Sequence, residues 1–314
     1  MKAITPRRLL LLAAAALCAT NCSRAADSTW NVTTIDNVGE VGGADHLAFG
    51  PDGQPAIAYY DSTQLDLKFA RYNGTTWVLT TVDGTGEFGG TASLAFGRDG
   101  QPVIAYWDKT HGDLKFARYS DTTWTISTVD SAGNVGTFPS LAFSPKGQPA
   151  ISYFDSDNCH LKFARYNDTI WSTTTVDSEE WVGICSSLAF GPNGQPAISY
   201  YDVANEDLKF ARYNGTTWVL TTVDTTGNVG AATSLAFGPD GQPAISYSDQ
   251  GLFNLKFASF NGTAWTLTTV DSAGVVGDST SLAFGPDGKP AISYSDHTKH
   301  ALKFARLAPG KKAP

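Results

Sequence analysis

WVLTTVDGTGEFGGTASLAFGRDGQPVIAYWDKTHGDLKFARYSDTT, residues 77–123, is one unit of a pattern that runs along the chain without insertion or deletion. Its tryptophan returns at Trp30, Trp77, Trp124, Trp171, Trp218 and Trp265, each 47 residues after the last. Four β-prone runs, at 76–83, 93–96, 102–108 and 114–119, alternate with turn signals inside this unit. Asn-Gly pairs such as Asn73-Gly74 and Asn214-Gly215 precede the tryptophan run, and Asp-Gly pairs such as Asp99-Gly100 and Asp240-Gly241 follow S-L-A-F. Both dipeptides tolerate the positive φ that closes a tight hairpin. Four antiparallel strands per unit, repeated six times, predict an all-β six-bladed β-propeller with a 47-residue repeat.

The longest connection in each unit follows the tryptophan run, as at 84–92, and a step from the outermost strand of one blade to the innermost of the next needs that length. S-L-A-F is therefore expected innermost and the tryptophan strand outermost. On this frame residues 29–36 form an outer strand with no blade before it, and 302–307 a third strand with no fourth after it. The N-terminal strand is expected to join the last blade and close the ring, which removes an open sheet edge. The repeats are then 30–76, 77–123, 124–170, 171–217, 218–264 and 265–311, within one domain over 26–314.

Residues 1–25 read as a secretory signal, with Lys2, Arg7 and Arg8 before an apolar stretch at 9–19 and the small-x-small site Ser23-Arg24-Ala25. Eleven apolar residues are too few for a retained transmembrane helix, and no later stretch approaches the roughly 20 required. The expectation is a monomeric exported protein, secreted, periplasmic or at the cell surface, with lipid attachment at Cys22 disfavoured by the preceding Asn21. Losing Lys2, Arg7, Arg8 and Arg24 with the leader would take the net charge from −8 to −12. Such a surface repels phosphate backbones, which argues against nucleic acid and anionic membranes as partners.

The loops that vary between repeats, the outer-to-inner crossing and the second-to-third-strand loop, fall on one face, where binding is expected. Each blade delivers an aspartate there, at Asp61, Asp108, Asp155, Asp202, Asp249 and Asp296. A structural role, accepting N–H groups of its own loop, is one reading of this register. The residue before it is aromatic in four blades, giving the pairs Tyr60-Asp61, Trp107-Asp108, Phe154-Asp155 and Tyr201-Asp202 as candidate ligand-binding residues. A ring can cover the apolar face of a pyranose while a carboxylate fixes its hydroxyls. His46 replaces a serine found in the other five repeats and, with Asp45, Glu40, His297 and His300, is a further candidate for binding. No motif spacing supports a metal, and no cofactor or catalytic residue is assigned. Cys159 and Cys185, the cysteines left after the leader, are expected to form a disulfide.

The order small inner strand, I-S-Y-Y-D, L-K-F-A-R-Y-N-G and then tryptophan resembles the blade plan of propeller lectins of the fungal fucose-specific and Photorhabdus types. It also resembles uncharacterised exported bacterial repeat proteins with S-Y-Y-D and L-K-[FY]-A units. The resemblance spans Trp30 to Lys311 and implies multivalent carbohydrate recognition, with a glycan or extracellular polymer as partner. Fucose-specific lectins meet the sugar with an arginine and a glutamate, whereas comparable places here carry Lys68 and Ala70. The alternatives are a polysaccharide hydrolase or lyase, with carboxylates such as Asp61 or His46 as acid and base, and a protein-interaction ring, for which Trp181 and Ile184 are the local hint.

Overall fold

A computed structural model describes residues 33–120 and 122–307, apart from the side chains of residues 44 and 45. The leader, Trp30 and the first residues of the proposed closing strand lie outside them. The described residues from Ile35 to Leu307 form one compact unit. It contains five four-stranded sheets and one three-stranded sheet, each an antiparallel meander in chain order. The innermost strands are Val41–Phe49, Phe88–Phe96, Val135–Phe143, Val182–Phe190, Val229–Phe237 and Ser281–Phe284. Each of the first five packs against the innermost strand of the blade that follows it, and the tryptophan strands, such as Trp218–Asp224, lie at the outer edge as expected.

The hairpins follow the predicted chemistry. Asn73 Oδ1 accepts the N–H groups of Thr75 and Thr76, both at 2.9 Å, and Asp99 Oδ1 accepts that of Gln101 at 3.2 Å. Five inner strands are longer than expected, because 88–92 and its equivalents continue the strand through a bulge, whereas Ser281–Phe284 keeps the expected length. In blade four the register shifts between Val182 and Ile184 and again before Ser187. Gly183 makes the first shift possible with φ of +103°, and a Cβ there would sit 2.7 Å from Leu161 Cβ and 2.8 Å from its Cα. Gly183→Ala is accordingly expected to cost about 2 kcal/mol or more in denaturant unfolding, combining backbone strain with a clash. Gly215→Ala, at the same φ but with nothing within 4 Å, should cost only the strain.

Neighbouring blades bury one face against another. Ala150, Leu161, Phe163 and Val176 of blade three pack on Val182, Leu188, Ile198, Tyr200 and Ala211 of blade four. A recurring hydrogen bond adds to this at five junctions: Leu188 N–H donates to Ser140 Oγ at 3.0 Å, and Leu94 N–H to His46 Nδ1 at 3.2 Å. His46 thus does the work of the serine it replaces. Between blades six and one the described residues leave the matching faces uncovered. Leu47, Phe49, Leu302 and Phe304 are 55%, 63%, 80% and 67% exposed, whereas the equivalent Leu94, Leu114 and Phe116 are 3%, 0% and 7% exposed.

Candidate functional site

The aspartates expected on the variable face are present there but engaged. Asp61 is buried, and its Oδ1 accepts the N–H groups of Thr63 and Gln64 at 3.0 and 3.1 Å. Asp155 and Asp202 hold Asn158 and Asn205 in the same way, through backbone and side-chain amides. Asp108 takes His111 Nδ1 at 2.8 Å. The second carboxylate oxygen faces a lysine, 3.7 Å for Asp61 and the half-buried Lys68 and 3.6 Å for Asp202 and the buried Lys209.

With the exception of Lys115, these lysines bind a second aspartate from the end of the preceding outer strand. Lys162 Nζ lies 2.5 Å from Asp130 Oδ2, and Tyr153 donates its hydroxyl to that oxygen at 2.6 Å. Asp36, Asp83, Asp177, Asp224 and Asp271 receive Tyr59, Tyr106, Tyr200, Tyr247 and Tyr294 likewise. At Asp36 the hydrogen bond from Lys68 outweighs burial and holds the carboxyl at about 2. Burial opposes ionisation of Asp271, but the bonds from Lys303, Ala273 N–H and Tyr294 overcome it and again hold it at about 2. Burial, reinforced by the aspartate, pushes Tyr106, Tyr153, Tyr200 and Tyr247 far above the usual phenol range. These clusters bolt blade to blade.

The aromatic partners of those aspartates are wedged beneath the crossing loops. Tyr60 meets Phe88 edge to face at 5.4 Å, Phe154 lies 6.4 Å from Trp181, and Tyr201 donates to Asn228 Oδ1 at 2.7 Å. Trp107 packs over Gly89, and its Nε1 is buried without a hydrogen-bond partner. Among the described residues no three His, Cys, Asp or Glu side chains are grouped to hold a metal. His297 Nε2 contacts both Ser295 Oγ and Asp278 Oδ2 at 3.3 Å. Both partners share one nitrogen, which is not the arrangement of a serine–histidine–aspartate relay.

Cys159 and Cys185 are both free, correcting the expected disulfide. The carbonyl of Cys159 receives Val182 N–H at 3.1 Å, and Cys185 lies three residues further along that strand. Burial pushes the Cys185 thiol up, so it is a poor nucleophile. It lines an axial cavity of about 320 Å³ together with Thr91, Phe138, Ala232 and Ser279.

Larger grooves open on the perimeter, between the outer halves of adjacent blades. Those between blades two and three, three and four, and four and five have volumes of about 600, 500 and 620 Å³. Alternation along L-K-F-A-R builds them: Leu114, Phe116 and Arg118 point to one face, the leucine into the core and the arginine into the groove. The next blade supplies the tryptophan. Trp171, Trp218 and Trp265 meet Phe116, Phe163 and Phe210 edge to face at 5.1, 5.1 and 5.2 Å. Tyr166, Tyr213 and Phe260 brace the same rings at 5.3, 5.4 and 5.3 Å. Hydroxyls of the outer strand, such as Ser127, Thr174 and Thr221, complete the lining. Each groove thus combines a fixed aromatic wall, an arginine and hydroxyls, on the hairpin side of the blades rather than on the variable face. Sequence reasoning had treated this arginine and tryptophan only as marks of the repeat.

No protein-family profile and no curated protein matches the chain. Solved structures do resemble it in fold. The α-L-arabinofuranosidase of Fusarium graminearum in complex with arabinobiose superposes with a TM-score of 0.57 at 14% identity, over 84% of this chain and 92% of that one. A polysaccharide lyase of family PL25, an ulvan lyase, gives 0.57 at 12% identity over 84% and 78%. A protein of unknown function from Dyadobacter fermentans DSM 18053 gives 0.56 at 12% identity over 80% and 89%. At these identities the likeness establishes the propeller fold.

Proposed function

We propose that this chain is an exported carbohydrate-binding propeller whose sites are the perimeter grooves. The observation that carries this reading is the threefold recurrence of one constellation: tryptophan wall, arginine and hydroxyls in a groove of 500 to 620 Å³. An indole face suits the apolar C–H face of a sugar ring, and arginine and hydroxyl donors suit its oxygens. Equivalent sites spaced around a rigid ring bind a repeating polymer with avidity, without strong affinity at any one site. Two of the fold neighbours named above are enzymes of saccharides, which supports the ligand class. Binding is favoured over catalysis because the constellation repeats, whereas an active site needs one asymmetric arrangement. Export rests on the sequence of the leader.

The test is a glycan array followed by calorimetry with Trp171→Ala, Trp218→Ala and Trp265→Ala, singly and together. Avid binding should fall stepwise, about tenfold for one substitution and at least a hundredfold for all three. Near-UV circular dichroism of each variant separates loss of a site from loss of the fold. Wild-type binding that survives the triple substitution would remove the grooves from consideration.

A further inference from the structure

We infer that the groove between blades four and five takes an anionic saccharide, whose carboxylate or sulfate group is held by Arg212. The inference rests on the carbohydrate reading above and adds the ligand's charge. In three of the five blades that carry it, the arginine of L-K-F-A-R is neutralised by an aspartate in the first hairpin of its own blade. Arg71 lies 2.9 Å from Asp52, Arg118 2.5 Å from Asp99, and Arg306 2.9 Å from Asp287. Blade three carries Lys146 at the aspartate position, and Arg165 turns to Gln148 Oε1 at 3.4 Å. Blade four carries Asn193 there. Arg212 has neither hydrogen bond nor ion pair among the described residues, yet it lines the groove with Asn193, Thr221 and Trp265.

Its remaining contact is with a ring: the guanidinium carbon lies over Phe237, 5.8 Å from the centroid. Stacking occupies a face of the guanidinium and leaves its in-plane N–H donors available for two parallel bonds to an oxyanion. No Asp or Glu lines this groove. The chain's net charge of −8 opposes an anion at long range, but charges further than about 8 Å are largely screened at physiological ionic strength. The half-buried guanidinium, short of the partner its counterparts have, therefore decides the local preference. Hydrogen bonds to a charged group correspond to a preference of about tenfold to a hundredfold over the neutral sugar.

Methyl β-D-glucuronide, glucose 6-sulfate and methyl β-D-glucoside, titrated into the purified protein and followed by ligand-observed NMR, test this. The expected result is at least tenfold tighter binding of one or both charged probes than of the glucoside, weakening as salt is raised. Which charged probe binds identifies the anion. Arg212→Gln should erase the preference by removing the donor. Asn193→Asp should erase it by restoring the pairing seen in blades one, two and six, with a thermal unfolding temperature near that of the wild type. A charged-to-neutral ratio unchanged in both variants would overturn the inference, while glucoside binding sensitive to Trp265→Ala would leave the carbohydrate reading standing. If the wild type binds none of the three probes and is blank on the glycan array, both readings fall together.

Discussion

Asp224→Ala is expected to destabilise the protein by about 3–5 kcal/mol, the range for removing one partner of a buried ion pair. Asp224 is buried at the end of its outer strand, where Lys256 Nζ and the Tyr247 hydroxyl both bind Oδ2 and Thr226 N–H binds Oδ1 at 2.9 Å. Truncation strands a buried ammonium and a buried phenol at once. The loss should appear as a lower denaturant midpoint with little change in slope. Tyr247→Phe, which removes one donor and leaves the ion pair, should cost about 1 kcal/mol. A cost for Asp224→Ala below that of Tyr247→Phe would show that the cluster does not hold the junction.

Stability should fall steeply on acidification below about pH 4, with the melting temperature dropping on the order of 10 °C between pH 5 and pH 3. The sign follows from the shared setting of six aspartates, five at blade junctions and Asp36 on the N-terminal segment. Asp36 and Asp271 are held at about 2, and Asp83, Asp130, Asp177 and Asp224 are held below their ordinary value despite burial. A carboxylate depressed in the fold contributes stability above its unfolded value near 3.9, and loses it as pH falls toward the folded value. The buried tyrosines give the opposite limb: raised in the fold, they contribute fully below pH 10 and less as pH climbs beyond it. Scanning calorimetry from pH 2 to 11 measures both limbs. A melting temperature flat from pH 5 to pH 3 would contradict the first.

The repeat length, the strand order and the Asn-Gly and Asp-Gly hairpins were legible because each is written within one 47-residue unit. The start of the inner strand was not, since Gly183 and Cys185 take positive φ and break the alternation that marks a strand. The reading that Asp61 and its counterparts cap their own loops was visible in their common register. Their shared lysine, and the second aspartate from the preceding blade, was not. The grooves were hidden for the same reason: Phe210 and Trp265 stand 55 residues apart and face each other only when two blades stack. What the sequence did display was the replacement of the hairpin aspartate by Lys146 and Asn193, whose meaning depends on knowing that Arg165 and Arg212 lie opposite.

The bolts between blades have a consequence for what the chain can tolerate. A protein pinned by one such cluster would be undone by its loss, but here Asp83, Asp130, Asp177, Asp224 and Asp271 each secure a separate junction, and Asp36 ties the N-terminal segment to blade one. In a scaffold of repeats, stability approximates a sum of local contributions and nearest-neighbour interfaces. Spare copies therefore carry the load when one blade changes, and a single unit can trade a carboxylate for Asn193, or an arginine for Ser259, while its neighbours keep the whole in shape. Redundancy in the framework is freedom at the rim.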